Sequence, residues 1–419
     1  MIIKISRFFL DIGLISGATI VAQSITVLTL PILTKLYTTQ DFEDFGVFVA
    51  FIAILSSVLS LRFNIAIPLS RDNKDFGVTT SLSVLSSFAI STLSVGLYLL
   101  FKEFIPKIDY LEDEWFVLGV IFGALGMSLY NICVAVAAYS KQFVAVSKSK
   151  VIRSTASSST QIVFGLLSFG GGLLFGYLIL CWAGVAIFLR NTARIVISSL
   201  RIPKTEIKKG FFEKIEYPIF SVPESLFFSL GSNLPIIIIA WSTQNAEAGV
   251  FFIALKFMSI PMMFLGQSIS TVYMSYAPKE EIPEGLYRLT KDTVIKLFYF
   301  AGIPLILIGM SAPFYVTFVF GSDWFQLGYY IAWLSIGSMF QLLSAPIAIS
   351  LHIMKRIKLA MVMQLILLFI KILPMSVALF YQSEFYLEIF SISNALAYII
   401  LMLTIFFNLN RYGIRTRNN

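Results

Sequence analysis

Long apolar runs alternate with short polar segments from one end of this chain to the other. A helix needs about 20 apolar residues to cross a hydrocarbon core, and twelve segments meet or approach that length. They are approximately 9–33, 45–69, 78–100, 115–139, 151–169, 172–198, 219–242, 248–275, 293–311, 329–350, 359–380 and 385–407. The fifth is the most polar, carrying Ser154, Thr155, Ser157, Ser158, Ser159, Thr160 and Gln161. Such a helix suits a protein interior or an aqueous cavity better than lipid.

The charges between the runs fix an orientation. With the N-terminus inside, the inner segments hold Lys4 and Arg7, Arg71 and Lys74, then Lys141, Lys148, Lys150 and Arg153. Further inner segments hold Arg201, Lys204, Lys208, Lys209 and Lys214; Lys279, Arg288 and Lys291; Lys355, Arg356 and Lys358; and Arg411, Arg415 and Arg417. The outer loops carry only Lys35, Lys102 and Lys107, and the longest of them is acidic around Asp109, Glu112, Asp113 and Glu114. Basic residues collect on the cytoplasmic side of membrane proteins. Deleting the fifth span would turn every later basic segment outward, so loop parity supports twelve spans and places both termini in the cytoplasm.

Composition agrees. The chain is 58% apolar and 13% charged, with mean hydropathy +0.85, far from the roughly 25% charge of soluble domains. Its net charge of +8 lies between apolar segments rather than on one face, which argues against nucleic acid. Cys133 and Cys181 fall inside apolar runs and are too few for a disulfide framework or a thiolate metal site. A single histidine, His352, stands in a basic loop, so neither a metal site nor hydrolytic catalysis is expected. The apolar stretch after Arg7 is too long for a signal peptide and reads as an uncleaved first span.

A repeat is visible at a separation of 204 residues: Pro31, Thr39, Gln40 and Glu43 return as Pro235, Thr243, Gln244 and Glu247. Two six-span halves follow, residues 1–198 and 218–419, joined by a cytoplasmic basic linker at 199–217. Six spans per half imply a pseudo-two-fold axis along the membrane normal and a substrate site between the halves.

The stretch Gly17 to Gln23, continuing through Leu30 to Tyr37 and Asp41 to Gly46, resembles the start of Wzx-type flippases. These form the polysaccharide-biosynthesis branch of the multidrug/oligosaccharidyl-lipid/polysaccharide exporter superfamily. Tyr217 to Pro223 and Phe320 to Trp324 are similar in the same way. The resemblance implies an all-α integral membrane protein of a bacterial inner membrane. It also implies a function: moving an undecaprenyl-diphosphate-linked oligosaccharide, of O-antigen or capsule type, from inner to outer leaflet by alternating access. Membrane lipid and other polysaccharide-assembly proteins are the implied partners, and no cofactor is implied.

Ionisable groups at membrane depth cost about 2.5–3.5 kcal/mol each on insertion scales. Arg62, Lys256 and Lys371 are placed this way. At 1.5 Å per residue, Arg62 lies about 25 Å from the outer end of span two, Lys371 about 18 Å from the inner end of span eleven, and Lys256 about 12 Å from the outer end of span eight. Cations stepped through the membrane suit an anionic diphosphate, and Arg offers phosphate a two-pronged match. Lys256 shares a helical face with Ser259, Gln267 and Ser270, and Gln364 lies two turns before Lys371 on its face, so both glutamines join the expected substrate path. The stripe of Ser57, Ser60 and Asn64 points away from Arg62. Pairing with acids or snorkelling is the alternative for each cation.

Arg190 and Arg194, one turn apart at the inner end of span six, are either snorkelling residues or an entry clamp for the diphosphate. Glu224, just inside span seven, suits proton or Na⁺ coupling or pairing with an interior cation. Asp11 suits a helix N-terminus or coupling. Pro31, Pro235, Pro261, Pro304 and Pro374 interrupt spans as candidate hinges. Two other functions compete: a drug/cation antiporter, which would need an acidic and aromatic cavity, and a glycan polymerase or ligase, which would need a large outer loop. Mainly cationic deep charges weigh against the first, and an outer loop of about fifteen residues against the second. If both diphosphate charges cross the field outward, an inside-negative potential contributes roughly 4.6 kcal/mol per 100 mV.

Overall fold

A computed structural model describes residues 2–102, 113–199, 202–243, 246–262, 273, 283–354 and 356–417; the side chains of 2–15, 189–199, 283–284, 352 and 411–417 lie outside the description. Each of the twelve expected segments is helical over its described residues, apart from short turns near the ends of some segments and a break at residues 60–62 within the second. In order the helices are α1 (Ile2–Leu36), α2 (Thr39–Leu59), α3 (Asn73–Phe101), α4 (Glu114–Tyr139), α5 (Phe143–Leu166), α6 (Gly172–Ser199), α7 (Lys204–Glu213) and α8 (Val222–Ser242). They continue as α9 (Glu247–Pro261), α10 (Pro283–Leu297), α11 (Ile303–Met310), α12 (Ala312–Phe320), α13 (Phe325–Ser344), α14 (Ser350–Ile353), α15 (Ile357–Phe380) and α16 (Tyr386–Arg417). Eight described helical stretches are long and apolar enough to cross a membrane. The segments that fall short are α5, α6, α9 and α13; α5 does so because it buries hydroxyls, among them Ser147, Ser149, Ser154, Ser157 and Ser158. Many buried hydroxyls in the helices satisfy themselves on the carbonyl three or four residues earlier, as Ser149 of α5 does on Val146 and Ser83 of α3 on Thr79.

Sequence dictates where several helices start and bend. Thr38 caps α2: its hydroxyl accepts from the Asp41 amide at 3.2 Å, and the Asp41 carboxylate accepts from the Thr38 amide at 2.8 Å. Tyr37, at the α1–α2 corner, donates to the Gln161 carbonyl at 2.7 Å. Burial, then the nearby Asp41 charge, pushes its phenol up to about 12, so it remains a donor. Two π-helical turns, Tyr217–Ser221 and Phe298–Gly302, each end just before a proline, Pro223 and Pro304. A proline cannot donate to the carbonyl four residues back, and the wider π turn accommodates the interruption. Pro31, Pro235 and Pro374 sit inside α1, α8 and α15, and Pro261 closes α9.

The chain divides into two compact units, Met1–Ser229 and Leu230–Asn419, with the division inside α8. In the first, α1 packs on α5, α5 on α6, α6 on α4, and α4 on both α2 and α3. In the second, α15 packs on α16, α16 on α13, and α13 on both α9 and α11, while Gly231 of α8 lies against Leu368 of α15. Counted from the first span of each, the neighbours correspond one for one.

The basic stretch after α6 carries α7, which is fastened to the start of α3. Lys214 pairs with Asp75 at 2.7 Å and Lys74 with Glu206 at 2.9 Å, while Ile207 and Phe211 pack on Phe63, Val78 and Leu82.

Candidate functional site

In the second unit, α15 shows why Lys371 is buried. Ala360, Met363, Leu367, Lys371, Met375 and Ala378 form one buried stripe at helical spacing, while Val362, Ile366, Phe369, Leu373 and Val377 are exposed. Lys371 is 5% exposed, and its Nζ stands 3.9 Å from the ring centroid of Tyr398 on α16. A desolvated cation over an aromatic face is worth about 2 kcal/mol, less than the cost of burying an ammonium without a counter-charge. Among the described residues no carboxylate pairs with Lys371 and the buried Tyr398 hydroxyl has no hydrogen-bond partner. Gln364, two turns earlier, is half-buried. Lys256 on α9 is half-buried, its Nζ 5.2 Å from the Phe252 ring and its carbonyl accepting from the Ser259 hydroxyl at 2.6 Å. Gln267 lies outside the described residues.

In the first unit, span two does not continue as one α-helix to residue 69. It ends at Leu59, and a 3₁₀ helix, Phe63–Leu69, follows. Leu61 and Arg62 between them take left-handed backbone, φ 45° and 60°, a conformation that costs non-glycine residues energy and that surrounding structure must impose. Arg62 is thus set at a break rather than within a helix. Its Nε is buried without a hydrogen-bond partner among the described residues, and the charge it feels most is that of half-buried Glu224 in the first turn of α8. The fold therefore brings together Arg62 and Glu224. Asp11 belongs to α1, and Arg190 and Arg194 to α6, but their side chains lie outside the description. Trp324 is 2% exposed and part of the packing, whereas Trp115 and Trp241 are exposed, as interfacial tryptophans are.

Two cations assigned by sequence to a cytoplasmic segment instead face the interior of the first unit. Arg153 is 9% exposed on α5, with its guanidinium carbon 3.9 Å from the Tyr130 ring centroid. Lys150, one turn earlier, donates to the Thr19 hydroxyl on α1 at 2.7 Å. Because α5 begins at Phe143 and its inner half alternates apolar residues such as Val144, Val146 and Ile152 with Ser147, Lys148, Ser149 and Lys150, hydropathy gives no edge from which to measure their depth. A usable signal was the phase: Lys150, Arg153, Ser157 and Gln161 recur at spacings of three and four.

The second unit also holds a phenol–carboxylate chain missed in the sequence. Tyr386 donates to Glu247, Tyr330 bonds to Tyr386, and Tyr329 donates to Glu388. By the loop charges these groups mark the outer ends of spans eight, ten and twelve. No group of three or more metal-ligating side chains occurs among the described residues.

The family described as "Polysaccharide biosynthesis protein" matches residues 32–329. Among solved structures, the lipid II flippase MurJ in an inward closed conformation superposes with a TM-score of 0.71 at 13% identity, covering 97% of this chain and 91% of that one. An inward-facing multidrug resistance MATE family transporter of the MOP superfamily gives 0.68 at 14% identity, covering 93% and 95%. The MATE transporter VcmN of Vibrio cholerae gives 0.60 at 12%, covering 97% of each. At these identities the likeness is one of fold. No curated protein sequence matches the chain.

Proposed function

The chain belongs to the polysaccharide biosynthesis protein family, and from that premise we propose that it is a flippase rather than an enzyme. Its cargo is an undecaprenyl-diphosphate-linked oligosaccharide repeat unit of O-antigen or capsule type. The cargo passes from the inner to the outer leaflet of a bacterial inner membrane. Two six-helix halves, residues 1–198 and 218–419 joined by 199–217, alternate access to it. The observation that carries this reading is Lys371, a buried cation beside the Tyr398 hydroxyl, with no carboxylate to neutralise the one and no hydrogen-bond partner for the other among the described residues. A diphosphate supplies the missing counter-charge and accepts from both groups.

Lys256 and Arg62 extend the cationic path, Gln267 and Gln364 donate to phosphate or sugar oxygens, and Arg190 and Arg194 receive the diphosphate at the inner face. Glu224, and Asp11 with it, couple flipping to a proton or Na⁺ gradient, or else membrane potential alone drives it; no cofactor takes part. Drug antiport is disfavoured because an organic cation would meet like charge at Lys371. The test is translocation of a defined undecaprenyl-diphosphate oligosaccharide in proteoliposomes, comparing wild type with Lys371→Ala, Lys256→Ala and Arg62→Ala. Loss of transport in folded variants supports the cationic path. Full activity in all three removes it, and drug transport without glycan transport replaces the reading with antiport.

A further inference from the structure

A cavity of about 370 Å³ opens in the first unit, walled entirely by apolar side chains from α2, α4 and the first turns of α8. Phe51, Leu55 and Val58 contribute one face of α2, Phe116 and Val120 one face of α4, and Leu226 closes the wall from α8. Phe48 meets Phe116 edge to face at 5.3 Å, and Ile52 fills the space beside Gly123, so α2 and α4 run side by side with the cavity along their seam. Two charged residues lie close in the chain to the lining of this groove. Val58 is one residue from the end of α2, and Arg62 follows at the left-handed break; Leu226 stands two residues after Glu224, whose carboxylate acts on Arg62. Arg62, whose buried Nε has no hydrogen-bond partner among the described residues, thus follows the α2 wall of the groove by four residues.

We infer that this groove seats the isoprenoid chain of a polyprenyl phosphate, with the phosphate on Arg62. The inference rests on the proposed function for its choice of lipid and concerns where that lipid docks. Size and lining fit a stretch of apolar chain, and the site reads from apolar to cationic along its length as the lipid does from chain to head. Glu224 is the resting counter-ion that keeps Arg62 charged while the groove is empty. The incoming phosphate takes over the guanidinium, and repulsion between phosphate and carboxylate sets a limit on affinity. Neutralising Glu224 therefore tightens binding, whereas neutralising Arg62 weakens it.

The experiment uses the full-length protein in nanodiscs with a polyprenyl diphosphate carrying a photoreactive group in its chain and no sugar, so that labelling reads docking independently of flipping. Adducts are expected on the peptides holding Phe51 to Val58 and Phe116 to Ile121. Leu55→Trp, which fills the groove, is expected to abolish them. Arg62→Gln should weaken labelling about tenfold, the size of one lost charge-assisted bond, and Glu224→Gln should strengthen it. Val120→Trp serves as the second filling variant if Leu55→Trp does not fold. Adducts confined to other helices, labelling untouched by either tryptophan, or equal competition by phosphatidylglycerol would overturn the assignment. Labelling as expected in a protein that fails to flip glycan would leave the groove standing and remove the transport reading.

Discussion

At the scale of single residues, two cations each rest 3.9 Å from a tyrosine ring centroid, Arg153 on Tyr130 and Lys371 on Tyr398. Lys371 was legible in the sequence because it interrupts a purely apolar run. Arg153 was not, because its serine-rich surroundings look the same as a loop edge. Lys371→Met keeps the volume and removes a charge that no described carboxylate compensates. Replacing buried ionic groups by apolar ones of similar size is neutral or stabilising by about 1–4 kcal/mol. The variant should therefore lose transport by more than about tenfold while its thermal unfolding temperature holds or rises. A drop in both would make Lys371 structural. Gly184 shows the opposite dependence: a Cβ there would fall 2.3 Å from Cδ2 of Tyr130. Gly184→Ala should push that ring off Arg153 and destabilise the protein by about 1–3 kcal/mol, read by thermal unfolding in detergent.

At the scale of elements, hydropathy and loop charge sufficed to place the helices, since their length and parity are set by the bilayer rather than by neighbours. The details that escaped are those where tertiary packing overrides local pattern. Span two breaks at Leu61 and Arg62 although no glycine or proline stands there, and nothing in the residues themselves asks for left-handed backbone. The basic stretch 199–217 has the composition of a loop, yet Ile207 and Phe211 give α7 an apolar side that docks on α3. Lys214 and Asp75 are only about a fifth exposed, so their pair exceeds the small value of surface ion pairs. Reversing it with Lys214→Glu places two carboxylates together. Amide exchange over 204–213 should then accelerate, and unchanged exchange would show that the apolar contacts hold α7 by themselves.

At the scale of the whole molecule, the matching neighbour pattern of the two units accompanies an unequal distribution of charge: arginine and lysine on α5 in the first, lysine on α9 and α15 in the second. Under the proposed function the cargo's two negative charges move outward down their electrical gradient, so flipping in proteoliposomes should quicken as an inside-negative potential is imposed, by up to roughly 4.6 kcal/mol of driving force per 100 mV. Indifference to the clamped potential would show that compensating cations move with the cargo. Glu224→Gln separates the two drives: under matched potential it should abolish any response to an imposed proton or Na⁺ gradient. The hydroxyl-lined α5 carries a consequence for how the chain is made. Its buried serines and Arg153 pack against α1, α4 and α6, and a helix this polar has little affinity of its own for the bilayer when it leaves the ribosome. Its insertion must await α6, the two entering together as a hairpin against α1. A reporter fused after residue 168 should remain largely outside the membrane barrier's control, and one fused beyond α6 should show the full hairpin in place.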